Sequence, residues 1–108
     1  MSDVLQTIQD LVGHGKVRIS LHGYRELAAD DILASDVIGG VDLAAIVETY
    51  PDAARGPSVL VLQRDRSGEP LHILWGMPKG QEAMAVLITA YRPDPARWSS
   101  NFKTRIKT

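Results

Sequence analysis

His22 and Arg25 stand three residues apart in "SLHGYREL" (Ser20 to Leu27), where an alternating apolar run gives way to a helical pattern. At i, i+3 on a helix, both side chains leave from one face of the first turn, so an imidazole and a guanidinium would work as a unit. The imidazole moves protons near neutral pH, and the guanidinium holds an oxyanion or a phosphate with directed N–H groups. If Ser20 or a neighbour caps the helix, His22 meets the positive end of the helix dipole. That favours a neutral ring able to accept a proton, while Glu26 at i+4 acts in the opposite sense. A helix-start histidine is also a common structural residue, and the residues alone leave both roles open.

The second histidine of interest, His72, lies inside the apolar run "PLHILW". Strand alternation sets it opposite Leu71, Ile73 and Trp75, on the face shared by Leu74 and Gly76. Thr89, Tyr91 and Arg92 close the last apolar run near the end where "PLHILW" begins. Register decides whether they share the face of His72, because a one-residue slip reverses it. Taken alone, Tyr91 reads as packing and Arg92 as surface charge. His14, in the flexible link "GHGK", is given no role. The three histidines lack metal-ligand spacing, and without cysteine or clustered carboxylates the expectation is no metal and no other cofactor. The serines Ser58, Ser67, Ser99 and Ser100 stand in no nucleophile motif, which argues against a hydrolase triad.

Elements must hold these residues in place, and 108 residues with 44% hydrophobic and 23% charged content suit one folded domain. No apolar run approaches the roughly 20 residues of a membrane span, and the start lacks a signal-peptide layout, so no membrane association and a cytoplasmic location are expected. Charge is divided along the chain. Residues 1 to 54 hold three Lys/Arg against nine Asp/Glu, and residues 55 to 108 hold nine against four. A basic half of this kind is able to track a phosphate backbone, or simply to be solvated.

Val4, Leu5, Ile8, Leu11 and Val12 recur at helical spacing, with Ser2 and Asp3 suited to the cap and first turn, and Gly13 and Gly15 end the pattern. Val17, Ile19 and Leu21 then alternate as a short extended segment. A second helix follows from His22, and a further turn or two runs from Ser35 or Asp36 to Gly39-Gly40. Beyond these, "AIVETY", "SVLVLQR", "LHILWGM" and "AMAVLITAYR" read as strands joined by short loops. The expected class is α+β, with the N-terminal helices packed on one face of a curled three- to four-stranded antiparallel sheet. One domain spans residues 1–108, with a core over about 3–98 and a basic tail over about 99–108 that docks Trp98 and Phe102 and then frays.

The ordered segments "ISLHGYREL", "ASDVIGGV", "IVETYP", "SVLVLQRDRSGEPLHILWG" and "VLITAYRPDPARW" resemble a family of small bacterial proteins catalogued as a domain of unknown function. The likeness runs over about residues 17 to 98. That family is placed by fold resemblance with the barnase, colicin and RelE-like group of ribonucleases and toxins, whose helices precede a curled antiparallel sheet. The resemblance implies a metal-independent endoribonuclease, encoded beside a small antitoxin of zinc-finger or helix-turn-helix type and acting on RNA, free or on the ribosome. RNA would be cut by its own 2′-hydroxyl, which needs a base, an acid and positive charge beside the phosphorane. The resemblance gives His22 as base and His72 as acid, with the two able to exchange roles. It makes Arg25 the phosphate clamp, Tyr91 and Arg92 its support, and Thr89, Lys79 and Arg97 substrate-binding residues. A binding module or a degenerate toxin of the same fold is the alternative it allows. Two features depart from the pattern: "ADDI" stands where the resemblance leads one to expect a cation near Asp30, and the pI of about 6.3 is low for a RelE-like toxin.

Overall fold

Ser20 sets where the second helix begins. Its backbone is extended and its hydroxyl accepts the Gly23 N–H at 2.9 Å, an N-cap that stops the preceding strand and opens α2. A computed structural model describes residues 4–80 and 83–106. In chain order it contains α1 (Val4–Gly13), β1 (Val17–Ile19), α2 (Leu21–Ala29), α3 (Ala34–Gly40), a 3-10 turn over Val41–Leu43, β2 (Ala45–Tyr50), β3 (Ser58–Arg64), β4 (Pro70–Gly76) and β5 (Ala85–Tyr91). The capping expected of Ser2 and Asp3 lies outside the described residues.

The class is α+β, but the sheet corrects the expected one. It has five strands rather than three or four, in the order β1-β5-β4-β3-β2, and it is mixed rather than antiparallel. The extra strand is the short segment Val17–Ile19, which runs parallel to β5 with Val17 beside Ala85 and Ile19 beside Leu87. Three residues are too few to declare a strand by alternation, and a parallel partner lying most of the chain away leaves no turn signal beside it. The remaining pairs are antiparallel, as expected.

One face of the sheet carries the helices. Leu5 and Ile8 of α1, Leu27 of α2 and Val37 of α3 pack with Val59 and Val61, with Leu71, Ile73 and Trp75, and with Ala85, Leu87 and Ala90. The polar atoms inside this layer are paired. Trp75 Nε1 donates to Gln63 Oε1 at 3.0 Å, and Gln63 Nε2 donates to the Val37 carbonyl at 2.8 Å. Gly23 lets α2 settle onto β5, since a Cβ there would stand 2.7 Å from the Leu87 carbonyl oxygen.

The opposite face is crossed by the C-terminal segment. Residues 97–106 fold back on themselves: Trp98 bridges Arg105, Ser99 N–H donates to the Thr104 carbonyl at 2.8 Å, and Ile106 N–H donates to the Arg97 carbonyl at 2.9 Å. Trp98 is buried and Phe102 half-buried, so the segment expected to fray past its aromatics is a docked hairpin as far as residue 106. Among the described residues, no helix is long and apolar enough to cross a membrane.

Candidate functional site

β4 places His72 as alternation requires, on the face away from the helices, and the hairpin closes over it. The residue is 0% exposed. Its Nε2 lies 2.7 Å from the Phe102 carbonyl oxygen and its Nδ1 lies 3.1 Å from the Tyr91 hydroxyl. A carbonyl only accepts, so Nε2 carries the proton, and in the neutral ring Nδ1 accepts from the Tyr91 O–H. Burial holds the ring neutral by lowering its pKa below the usual 6.5; the Phe102 carbonyl acts against that shift and the Arg105 charge adds to it. Trp98 stands edge-on to the imidazole, with centroids 4.3 Å apart, and Tyr91 does so at 5.2 Å.

Tyr91 reaches His72 because β5 is irregular. Ala85 and Leu87 point into the helix-covered core, so strict alternation would send Thr89 and Tyr91 there too. A bulge interrupts the register between Leu74 and Trp75 and leaves Ile88 as an extra residue, after which Thr89 faces Leu74 and Tyr91 faces His72. Gly76 makes room for the bulge, since a Cβ would lie 2.5 Å from Ile88 Cδ1. The Tyr91 hydroxyl thereby bonds the buried ring while the residue lines a surface cleft, and burial raises its pKa above 10.0.

The cleft has a volume of about 730 Å³ and is lined by Tyr91, Arg92, Asp94, Ala96, Arg97, Trp98, Arg105 and Ile106. That size suits a small ligand or one nucleotide. Its cations differ in freedom. Arg92 is tied down on every side, with Nε donating to the Asp30 carbonyl at 3.0 Å, Nη2 to the Asp31 carbonyl at 3.3 Å and Nη1 to Asp65 Oδ2 at 3.0 Å. It clamps the end of α2 and the β3–β4 turn to the end of β5, and the "ADDI" stretch supplies two of its three acceptors. Arg97 lies only loosely beside Asp94, with Nε to Oδ2 at 3.9 Å. Arg105 pairs with Glu48 and lies over the Trp98 ring, 4.9 Å from its centroid.

The structure does not bring His22 and His72 together. The His22 side chain is 62% exposed on α2 and its Nε2 lies 3.2 Å from Glu26 Oε1, whereas His72 is walled by Tyr91, Trp98 and the Phe102 carbonyl. Two rings so placed cannot flank one phosphodiester. Arg25 is exposed one turn along α2, outside the cleft. Lys79 follows the far end of β4 from His72, its backbone N–H held by the Arg55 carbonyl at 3.0 Å. Of the expected site residues, therefore, His72, Tyr91, Arg92 and Arg97 gather at one place, Thr89 lies two residues from Tyr91 on the same face, and His22, Arg25 and Lys79 lie elsewhere. Sequence reasoning missed Arg105, Glu48 and the Phe102 carbonyl. The signal for Arg105 was the basic tail, but no turn dipeptide marked the hairpin that carries it; Phe102, at φ 60, takes the left-handed conformation instead.

A family model described as "Domain of unknown function (DUF4258)" matches residues 19–92, more than half of the chain. The chain belongs to the DUF4258 family. Neither the curated proteins nor the solved structures compared with it gave a match. The DUF4258 match contains His72, Tyr91 and Arg92, and ends before Arg97, Trp98, Phe102 and Arg105. The cleft is thus lined by two residues of the DUF4258 match, Tyr91 and Arg92, and otherwise by the segment that follows it.

Proposed function

We propose that this chain is a metal-independent endoribonuclease of the toxin type, with a fold akin to the barnase, colicin and RelE-like group, and that its scissile phosphate sits in the Tyr91–Arg97–Arg105 cleft. One observation carries the reading: a hydroxyl, an imidazole and a carbonyl form a chain, Tyr91 to His72 to Phe102, whose open end lies among arginines. It has the logic of an activated hydroxyl, in which a third group fixes the tautomer of the histidine that takes the proton. The RNA 2′-hydroxyl gives its proton to the Tyr91 oxygen as Tyr91 passes its own to His72 Nδ1. The 2′-oxygen bonds to phosphorus, the bond to the 5′-oxygen breaks, and that oxygen takes a proton from water, leaving a cyclic phosphate; His72, charged only in passing, returns its proton through Tyr91 to the hydroxide left behind. Arg97 and Arg105 bind the phosphate and its developing charge. This places the base at Tyr91 in place of His22 and makes His72 a positioning residue that never touches substrate. The order of α2 and α3 before the four antiparallel strands β2 to β5 supports the kinship with the toxin group, and a small antitoxin covering the cleft and a cytoplasmic site of action belong to the same proposal.

The test is cleavage of single-stranded RNA by purified protein in the presence of a chelator. The expected result is a 2′,3′-cyclic phosphate end, a rate lowered about 100-fold or more by Tyr91→Phe, and unchanged RNA affinity in that variant. RNA left intact, or cut equally well by the variant, overturns the proposal. A second reading, a protein-binding module without catalysis, is favoured by one feature: Arg92, Arg97 and Arg105 each already face a carboxylate of the chain. A stable protein partner whose binding survives Tyr91→Phe, with no cleavage by intact protein, would select it.

A further inference from the structure

The hairpin has a second flank. Its tip, with Asn101 and Lys103, overhangs another groove of about 430 Å³, whose walls include Leu43, Ala45, Leu62 and Arg64. Among the described residues no carboxylate lines this groove, which sets it apart from the first cleft. Arg64 uses Nη1 on the Gly68 carbonyl at 3.1 Å, and among the described residues the rest of its guanidinium has no further partner. The Lys103 ammonium makes no hydrogen bond or ion pair among the described residues. Asn101, which lines the groove, has its Oδ1 taken by Ser99 Oγ at 2.7 Å and Lys103 N–H at 3.0 Å, which leaves its amide N–H groups as the available donors. Leu43 stands 91% exposed beside these cations.

Uncompensated cations beside an exposed apolar wall suit a phosphate joined to a flat base. The two clefts lie at the base and the tip of one hairpin, and the chain from Arg97 to Phe102 spans at most roughly 17 Å. One short oligonucleotide reaches both. The geometry points to the Arg64–Lys103 groove as a second phosphate subsite, which takes the flanking nucleotides of a single-stranded RNA whose reacting phosphate lies in the Tyr91 cleft. This assignment rests on the RNA reading of the first cleft and extends it to substrate length: dinucleotides occupy one cleft, and longer strands occupy both.

The experiment compares 2′-O-methyl oligouridylates of two and six nucleotides, which bind but cannot be cut, on the full chain and on the double variant Arg64→Ala/Lys103→Ala. Both substituted side chains are exposed, so the variant is expected to fold. The hexamer is expected to bind the variant about tenfold more weakly, with the slope of log Kd against log salt reduced by about 1.4 for two lost contacts on a single strand. The dimer is expected to bind both proteins equally. Equal hexamer binding, or a dimer weakened as much as the hexamer, overturns the subsite. A hexamer that intact protein does not bind removes both the subsite and the nuclease. Cleavage that needs Tyr91 but ignores the double variant removes the subsite alone, and a hexamer effect combined with cleavage indifferent to Tyr91→Phe removes the nuclease and keeps the groove.

Discussion

A histidine with both ring nitrogens bonded inside a sheet resists protonation, because an imidazolium would bury a charge and lose Nδ1 as the acceptor for Tyr91. The consequence for stability has a definite sign. The folded pKa of His72 lies below 6.5, so at acid pH the unfolded chain binds a proton that the folded chain refuses. The stabilisation is full above pH 6.5 and is lost progressively as pH falls from there through the lowered folded value. Tm measured from pH 8 to 5 is expected to decline, and more steeply in intact protein than in His72→Asn, which carries no titrating ring; parallel curves would contradict the buried neutral assignment. Asp65 adds a separate loss at lower pH. The Glu69 backbone N–H, then the Arg92 guanidinium, hold its carboxyl below 3.8, so that its contribution is present above 3.8 and disappears as pH falls further. Much of the His72 environment was legible in "PLHILW", where alternation alone gives its face. Its partnership with Tyr91 was not, because the Ile88 bulge reverses the parity of β5 and no residue in "AVLITAY" announces a bulge.

Whole elements were easier to read than the contacts between them. Ser20, Gly39-Gly40, Pro51 and "DRSGEP" are punctuation with a local physical cause: α2 begins after the first, and α3, β2 and β3 end where the others stand. The parallel pairing of β1 and the docking of the hairpin depend on partners far away in the chain, and neither leaves a local trace. The contact of α2 with β5 is the element-scale feature the site depends on, because that contact and the Arg92 clamp fix the end of β5 that carries Tyr91. Gly23 is where they touch. Gly23→Ala is expected to cost about 1–3 kcal/mol by overpacking against backbone that cannot retreat, read from the midpoint of urea unfolding. An unchanged midpoint would mean that α2 is free to lift from β5.

At the scale of the molecule, the charge division along the sequence becomes a division between faces. The acidic half supplies the helices that cover one side of the sheet. The basic half supplies β3 to β5 and the hairpin, and brings Arg64, Arg97, Lys103 and Arg105 to the other side. A net charge of −1 conceals this, since the two halves nearly cancel. The cationic side is also the side of His72 and Tyr91, so the hydrogen-bonded chain and the arginines share one side of the sheet. The decisive measurement is nitrogen NMR of the histidine rings in the full chain at pH 7, before and after addition of a 2′-O-methyl RNA hexamer. The wiring described here predicts that His72 carries its proton on Nε2 and that its Nδ1 resonance shifts as RNA engages the Tyr91 hydroxyl. A ring protonated on Nδ1, or an Nδ1 resonance that stays fixed while the RNA saturates, would contradict it.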